Sequence, residues 1–401
     1  MENRSFDHLL GWLKQDSRAH GDIDGLVEGM SCVKSPKHPH LGSVEITRDG
    51  LDECQDDPQH SFNPTQEQIN NNLMNGFIQT QIEKAQSLIN PVSMFDRETA
   101  PIINTLAEEF AIFDSWFSSV PGPTDPNRCF AMAGTSKGVL SNFNGTLYDQ
   151  QSYFDYLSDR NRTWKGYYQD DLWLLGAFED LLKPRNSKNV VPIDQFFEDA
   201  ANGNLPEFSW LQPRMSTFGP KKVPTWQHPD ASVLEGERLI KDVYEALRKS
   251  PNWGECLFII SYDEHGGFYD HAVPPHQGVP APDDNVNEEK GFAFDRLGIR
   301  VPTIAVSPWI ARNTIVSSTL SPDETPTTTS AFESTSIMAT ANILLGLSNE
   351  PPLGNRMAWA NTFASLVDTE SSTFRNDCPK ELPKLPPTPG FYIRLYICPC
   401  T

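Results

Sequence analysis

Cys256-Leu-Phe-Ile-Ile-Ser-Tyr-Asp-Glu-His-Gly-Gly-Phe-Tyr-Asp-His271 is the stretch that decides the fold. Its first seven residues, Cys256 to Tyr262, are apolar at nearly every position. That is the pattern of a strand buried on both faces, as strands of parallel sheets tend to be. Upstream, Leu239, Ile240, Val243 and Leu247 fall on one face of a helix predicted over Val233 to Lys249. The same order recurs where a helix over Ala100 to Phe110 runs into a short strand, Ala111-Ile-Phe-Asp114, and a further strand is predicted at Val301-Pro-Thr-Ile-Ala-Val306. Helix followed by buried strand, repeated, predicts an α/β domain with helices on both faces of a sheet.

Length and charge narrow the reading further. The chain has 401 residues, 32 Lys+Arg and 53 Asp+Glu, for a formal charge of −21. So acidic a body argues against a nucleic-acid partner and against docking on anionic lipid by bulk charge. No run approaches the roughly 18 apolar residues of a membrane span, so no transmembrane segment is expected. The seven cysteines are scattered, without paired C-x-x-C motifs, which argues against a zinc site. The 33 prolines predict long ordered loops: Pro274 to Gly291, Ser317 to Ser330, and an extended tail from Asp377 to Gly390. The apolar residues from Phe391 to Thr401 have no evident role.

Three clusters carry chemistry. Glu2-Asn-Arg-Ser-Phe-Asp-His8 opens the chain, Pro123-Thr-Asp-Pro-Asn-Arg128 stands where a helix begins, and Asp263 to His271 follows the apolar strand. Strand ends and helix starts are where open α/β sheets gather ligands. Thr124 is a hydroxyl at a helix N-terminus, either a nucleophile or simply a cap. Asp263 and Glu264, side by side, repel unless a cation or a proton sits between them. With Glu2 and Asn3 they form an all-oxygen set suited to one hard divalent metal; the alternative is a solvated turn. His265 and His271, and the loop histidines His60 and His228, are acid/base candidates or plain structural histidines.

Together the three clusters resemble the phosphoesterase family, which includes non-specific phospholipases C and certain bacterial acid phosphatases. The similarity runs from Glu2 to about Pro383 and takes in Trp116-Phe-Ser-Ser-Val120, Arg300 to Trp309 and Asp377-Cys-Pro379. The last segments look most like the plant-type enzymes. The resemblance implies an alkaline-phosphatase-like three-layer α/β/α sandwich over 1–366, followed by a proline-rich C-terminal extension over 367–401. It implies hydrolysis of glycerophospholipids to diacylglycerol and a phosphorylated headgroup, at a membrane surface. Thr124 matches the nucleophile, and Asn127 a group contacting the phosphoryl oxygens. Arg128 and His265 match phosphate-binding groups. Glu2, Asn3, Asp263 and Glu264 match the set that binds metal or phosphate. His60, His228 and His271 match histidines that stabilise the transferring group or protonate the leaving alkoxide.

Two departures from the family pattern carry expectations. An apolar strand precedes the Glu-Asn-Arg motif in relatives, whereas only Met1 does here, so the start reads as truncated or mis-assigned, with Glu2 and Asn3 on a fraying terminus. Compartment stays open between cytosolic or peripheral membrane and secreted. Ser334, in Phe332-Glu-Ser-Thr-Ser336, stands where relatives usually carry His. The competing functions are an acid-phosphatase-like phosphomonoesterase and an impaired relative that binds lipid or phosphate without turnover. An apolar rim would mark the lipase, and Phe268, Tyr269 and the loop after Pro274 are its candidates, or else they pack the core.

Overall fold

The computed structural model describes residues 1–17, 20–54, 56–142, 145–170, 172–215, 223–317 and 321–387. Eleven strands are assigned among them. A hairpin joins β1 (Ser31–Val33) to β2 (Ser43–Glu45). The main sheet has the order β10-β3-β9-β8, built from β3 (Ala111–Phe113), β8 (Phe258–Ser261), β9 (Thr303–Val306) and β10 (Thr314–Val316). A second sheet places β5 (Trp164–Tyr168) between β6 (Val190–Pro192) and β7 (Phe208–Gln212), all parallel. β4 (Trp116–Phe117) pairs with β11 (Phe332–Glu333). The α/β class is as the sequence indicated.

The apolar run at 256–262 does form a strand, but its direction differs from expectation. β8 runs antiparallel to β9, with Ile260 opposite Ile304 and Ser261 opposite Thr303, and β9 runs antiparallel to β3. Burial, not direction, dictates the apolar pattern. The long segment between residues 261 and 303 leaves the chain free to return from either end.

The principal core joins both sides of this sheet. Ile112, Phe113, Ile304, Ala305 and Val306 are fully buried, and the helix Pro101–Glu109 contributes Ile102, Ile103 and Leu106. The helix Val233–Lys249 forms where its periodicity predicted. Ser232 caps it by accepting from the Glu235 N–H, and Arg248 and Lys249 lie in its last turn, complementing the helix dipole. The proline-rich segment runs along this helix. The Tyr244 hydroxyl donates to the Pro379 carbonyl at 2.6 Å, Lys241 Nζ donates to that of Leu382 at 2.8 Å, and Cys378 and Leu382 enter the core. The stretch Phe391 to Thr401 lies outside the described residues. Among the described residues, no helix is long and apolar enough to cross a membrane.

Candidate active site

Two strand ends and one helix start converge on a single arginine. The helix Thr124–Ala133 presents Arg128 from its second turn; β8 leads into Asp263, and β7 ends at Gln212. Arg128 Nε donates to Asp263 Oδ2 at 2.8 Å, Nη2 donates to Glu2 Oε2, and Nη1 reaches Gln212 Oε1 at 3.5 Å. All of these groups are buried. Charges so far from water persist only when paired, so the guanidinium and two carboxylates hold one another in place.

Thr124 is not the cap of its helix. Pro123 occupies the cap position and Thr124 is the first helical residue, which leaves its hydroxyl uncommitted to the backbone. Thr124 Oγ1 donates instead to Glu2 Oε1 at 2.9 Å. Asn127, expected at the phosphoryl oxygens, has its side-chain amide fully engaged elsewhere. Its Oδ1 accepts from the Val120 N–H at 3.0 Å, and its Nδ2 faces the carbonyls of Val120, Gly122 and Pro123 at 3.1–3.2 Å. It staples the turn that aims Thr124.

Glu2 and Asn3 do not fray; they are 2% and 0% exposed. The first residues lie across the end of β8, with the Met1 amino group donating to the Ser261 carbonyl at 3.0 Å, the Asn3 N–H to Asp263 Oδ1 at 3.1 Å and the Arg4 N–H to the Glu264 carbonyl at 3.1 Å. Asn3 adopts φ +52°, a left-handed conformation that asparagine tolerates. Gly266, at φ +65°, makes room for it, because a Cβ there would lie 2.2 Å from the Asn3 carbonyl oxygen. This close approach is why the motif needs glycine at 266; at Gly267 an added Cβ would instead lie 2.7 Å from the Gln59 carbonyl oxygen.

The carboxyl groups divide by environment. Burial pushes Glu2 up to about 8, opposed by Arg128 and reinforced by Asp263. Burial also works against the charge of Asp263, but Arg128 and hydrogen bonding hold it below the usual range. Glu264 is driven well up by burial and then by the Asp263 charge. Two buried acceptors here lack partners, Asn3 Oδ1 and Glu264 Oε1. The Glu2 and Asp263 carboxylates lie beside them, engaged by Arg128, and all four residues offer oxygen donors of the kind a divalent cation accepts. Among the described residues, the group whose ligand atoms all lie within 4.8 Å of one another is a different one, Asp7, Asp270 and His271. There the Arg300 guanidinium already contacts Asp7 at 2.9 Å and Asp270 at 3.1 Å.

The histidines separate into two kinds. His60 Nδ1 donates to the Pro58 carbonyl at 2.7 Å, which turns Nε2 toward Asn3 Nδ2 at 3.4 Å and Glu264 Oε1 at 4.0 Å. His228 Nδ1 donates to Asp230 Oδ1 at 2.6 Å, and its Nε2 lies 3.7 Å from Asp57 Oδ2. Burial lowers its basicity, but Asp230 and the charges of Asp57 and Glu2 leave it raised. The other two do not fit their expected roles. His265 is buried behind Glu264, donates Nε2–H to Gln68 Oε1 at 2.8 Å and is kept neutral by burial. His271 bridges Asp7 and Asp24 at 2.7 and 2.9 Å and is raised, against burial, to about 10. It is a fixed cation within the Arg300 network, not an acid that cycles near neutral pH.

Asp57, His60, Pro123 and Asn142 line a cavity of about 290 Å³ beside Thr124. It shares Gln59, Ser61, Leu140 and Ser141 with an adjoining groove of about 580 Å³. Phe268 and Tyr269 are not at this rim; Phe268 stacks on His8 with ring centroids 3.7 Å apart, and both are buried. Ser334 is buried at the start of the helix Thr335–Leu344, beside Glu333, which accepts from Ser119 and Thr335. Asp230, Gln212 and Gln68 had no sequence signal, since none belongs to a motif and their partners are distant in the chain or, for Asp230, set by local folding. Asp57 precedes His60 by three residues in Asp56-Asp-Pro-Gln-His60, an acidic loop with no motif of its own.

Over 400 residues the chain is 40% identical to non-specific phospholipase C6 of Arabidopsis thaliana, covering 96% of this chain and 74% of that protein. It is 36% identical to the same plant's non-specific phospholipase C3, over 96% and 75%. It is 28% identical to phospholipase C B of Mycobacterium tuberculosis, over 94% and 77%. Among solved structures it is similar to an alkaline phosphatase superfamily protein from Vibrio parahaemolyticus, at TM-score 0.37 and 12% identity over 65% of this chain and 64% of that one, too distant a likeness to add to the fold. The Phosphoesterase family matches residues 1–348. With Thr124, the Glu2–Arg128–Asp263 group and the Gly-Gly turn all inside that span, the chain belongs to the phosphoesterase family.

Proposed function

We propose that this phosphoric ester hydrolase cleaves glycerophospholipids to diacylglycerol and a phosphorylated headgroup, with Thr124 Oγ1 as the nucleophile. The observation that carries the assignment is the 2.9 Å hydrogen bond from Thr124 Oγ1 to a buried carboxylate, Glu2. A hydroxyl is a weak nucleophile until a base takes its proton. Glu2, pushed to about 8 by burial, suits that exchange near neutral pH. As the Oγ1–phosphorus bond forms, the phosphorus–oxygen bond to glycerol breaks, and His228 donates a proton to the departing alkoxide. Its hydrogen bond to Asp230 orients the ring and favours the protonated form. Arg128 balances the negative charge gathered beside phosphorus, and His60 steadies Asn3 and Glu264. Water then attacks phosphorus and His228 takes its proton; the Oγ1–phosphorus bond breaks, Glu2 returns its proton to Thr124 Oγ1, and the phosphorylated headgroup leaves.

Glu2, Asn3, Asp263 and Glu264 would hold a divalent ion, which when bound would neutralise phosphoryl charge. Asn127 and His265 act as positioning residues for Thr124 and Glu264. The test is product analysis on phosphatidylcholine vesicles and, in parallel, p-nitrophenyl phosphate, each with and without a chelator. Diacylglycerol with phosphocholine is expected, absent in Thr124→Ala. Release of nitrophenol without diacylglycerol would assign a phosphomonoesterase instead. Folded protein silent on both substrates would assign a binding relative.

A further inference from the structure

A short turn at Trp173–Gly176, packed against the Thr124–Ala133 helix, presents an apolar wedge that no part of the chemistry uses. In Leu172-Trp-Leu-Leu175 the two halves face opposite ways. Leu174 and Leu175 are 1% exposed and pack with Cys129 and Met132 of the Thr124–Ala133 helix. Leu172 and Trp173 turn outward, at 39% and 36% exposure. Trp173 holds φ +38°, unfavourable for an aromatic residue. Its indole Nε1 donates to Asp125 Oδ1 at 2.8 Å, so the ring is fastened to the residue next to Thr124. Leu147 belongs to the same rim. The adjoining Tyr148 N–H donates to the Ala177 carbonyl at 2.8 Å, and Leu172 packs over Gly176, where an added Cβ would lie 3.1 Å from Leu172 Cβ. Leu147 is 39% exposed.

Core packing explains the inner half of this segment, while Leu172 and part of the Trp173 ring remain exposed, where large apolar groups are costly. Resting on the phospholipase reading, we propose that Leu147, Leu172 and Trp173 form the surface that enters a lipid bilayer and brings the Thr124 cavity to its substrate. The occupant is fixed by that substrate, whose acyl chains stay in the membrane while its phosphodiester reaches the enzyme. The chain bears a formal charge of −21, so the favoured surface is zwitterionic. Attachment then comes from apolar insertion and an indole at the headgroup level, not from counter-charge. Binding is therefore insensitive to salt and gains nothing from anionic lipid.

The experiment compares wild type with Leu172→Asp, Leu147→Asp and a control at an exposed leucine elsewhere, Leu41→Asp. Each is sedimented with sucrose-loaded phosphatidylcholine vesicles at low and high salt. Each is also assayed on those vesicles and on a short-chain phosphatidylcholine held below its micelle threshold. Leu172→Asp and Leu147→Asp are expected to lose at least about tenfold in vesicle binding and vesicle turnover while keeping monomer turnover, with Leu41→Asp unchanged. Unaltered binding by both rim variants would overturn the proposal, as would an equal loss on monomer and vesicle, which marks a disturbed site. If wild type releases no diacylglycerol from either substrate, the phospholipase reading fails, and sedimentation alone still decides the docking surface.

Discussion

Gly266→Ala separates the geometry of the site from the stability of the fold. A methyl at Gly266 would lie 2.2 Å from the Asn3 carbonyl oxygen, where ordinary contact begins at 3.4 Å, a deficit of about 1.2 Å. That oxygen belongs to the backbone, so relief requires moving the Asn3 segment, and with it Glu2 and the acceptor of the Thr124 hydrogen bond. A displacement near 1 Å at a reacting group costs on the order of a hundredfold in rate. The substitution also pays about 1–2 kcal/mol for a side chain at φ +65°. Gly291→Ala supplies the control, because Gly291 sits at φ +60° with nothing within 4 Å of the added Cβ. Both variants are expected to lose stability in thermal unfolding through the positive φ, Gly266→Ala the more because it must also relieve the clash with Asn3. Only Gly266→Ala is expected to lose kcat by about two orders of magnitude. A Gly266→Ala enzyme with the turnover of Gly291→Ala would refute the claim that this turn positions Glu2 and Asn3.

Other consequences are independent of that one. As leaving-group acid, His228 must be protonated, so activity falls as pH rises through its pKa; Asp230→Asn removes its supporting charge, and the alkaline limb of the pH–rate profile is expected to move to lower pH. Burial holds Glu237 at about 8, against a usual 4.5, where it receives the Ile102 and Ile103 N–H groups. The native state therefore binds the extra proton between these values, and stability falls as pH rises across the window, by on the order of 5 kcal/mol in all. Denaturation of Glu237→Gln at several pH values is expected to lose most of that slope. Asn127→Ala leaves Val120, Gly122 and Pro123 backbone groups unpaired at about 1–3 kcal/mol for each buried one; a lowered denaturation midpoint together with lost turnover is expected, and unchanged turnover would place the staple outside the site.

Periodicity and apolar continuity made the Val233–Lys249 helix and β3 legible, because burial writes directly into composition. Strand direction was not legible. The continuous apolar run of β8 read as a parallel-sheet strand, whereas its antiparallel pairing with β9 is fixed by where a long loop brings the chain back. The acidic motif likewise announced Asp263 and Glu264, since two adjacent carboxylates need a cation or a proton. It could not say what the histidines beside them meet. Gln68, 197 residues away, makes His265 a buried support, and Asp7, 264 residues away, makes His271 a fixed cation. Glu2 and Asn3 looked exposed because termini usually are. They are interior because Ser261, Asp263 and Glu264 supply acceptors for that segment's N–H groups.

The nucleophile can be tested directly. Wild-type enzyme turning over phosphatidylcholine would be quenched in acid within the first turnovers, digested, and the peptide containing Thr124 weighed, with Thr124→Ala assayed alongside. A phosphocholine adduct on Thr124, with no turnover by the alanine variant, is the expected result. An unmodified Thr124 peptide together with wild-type rates from Thr124→Ala would mean that water attacks phosphorus without a threonine intermediate.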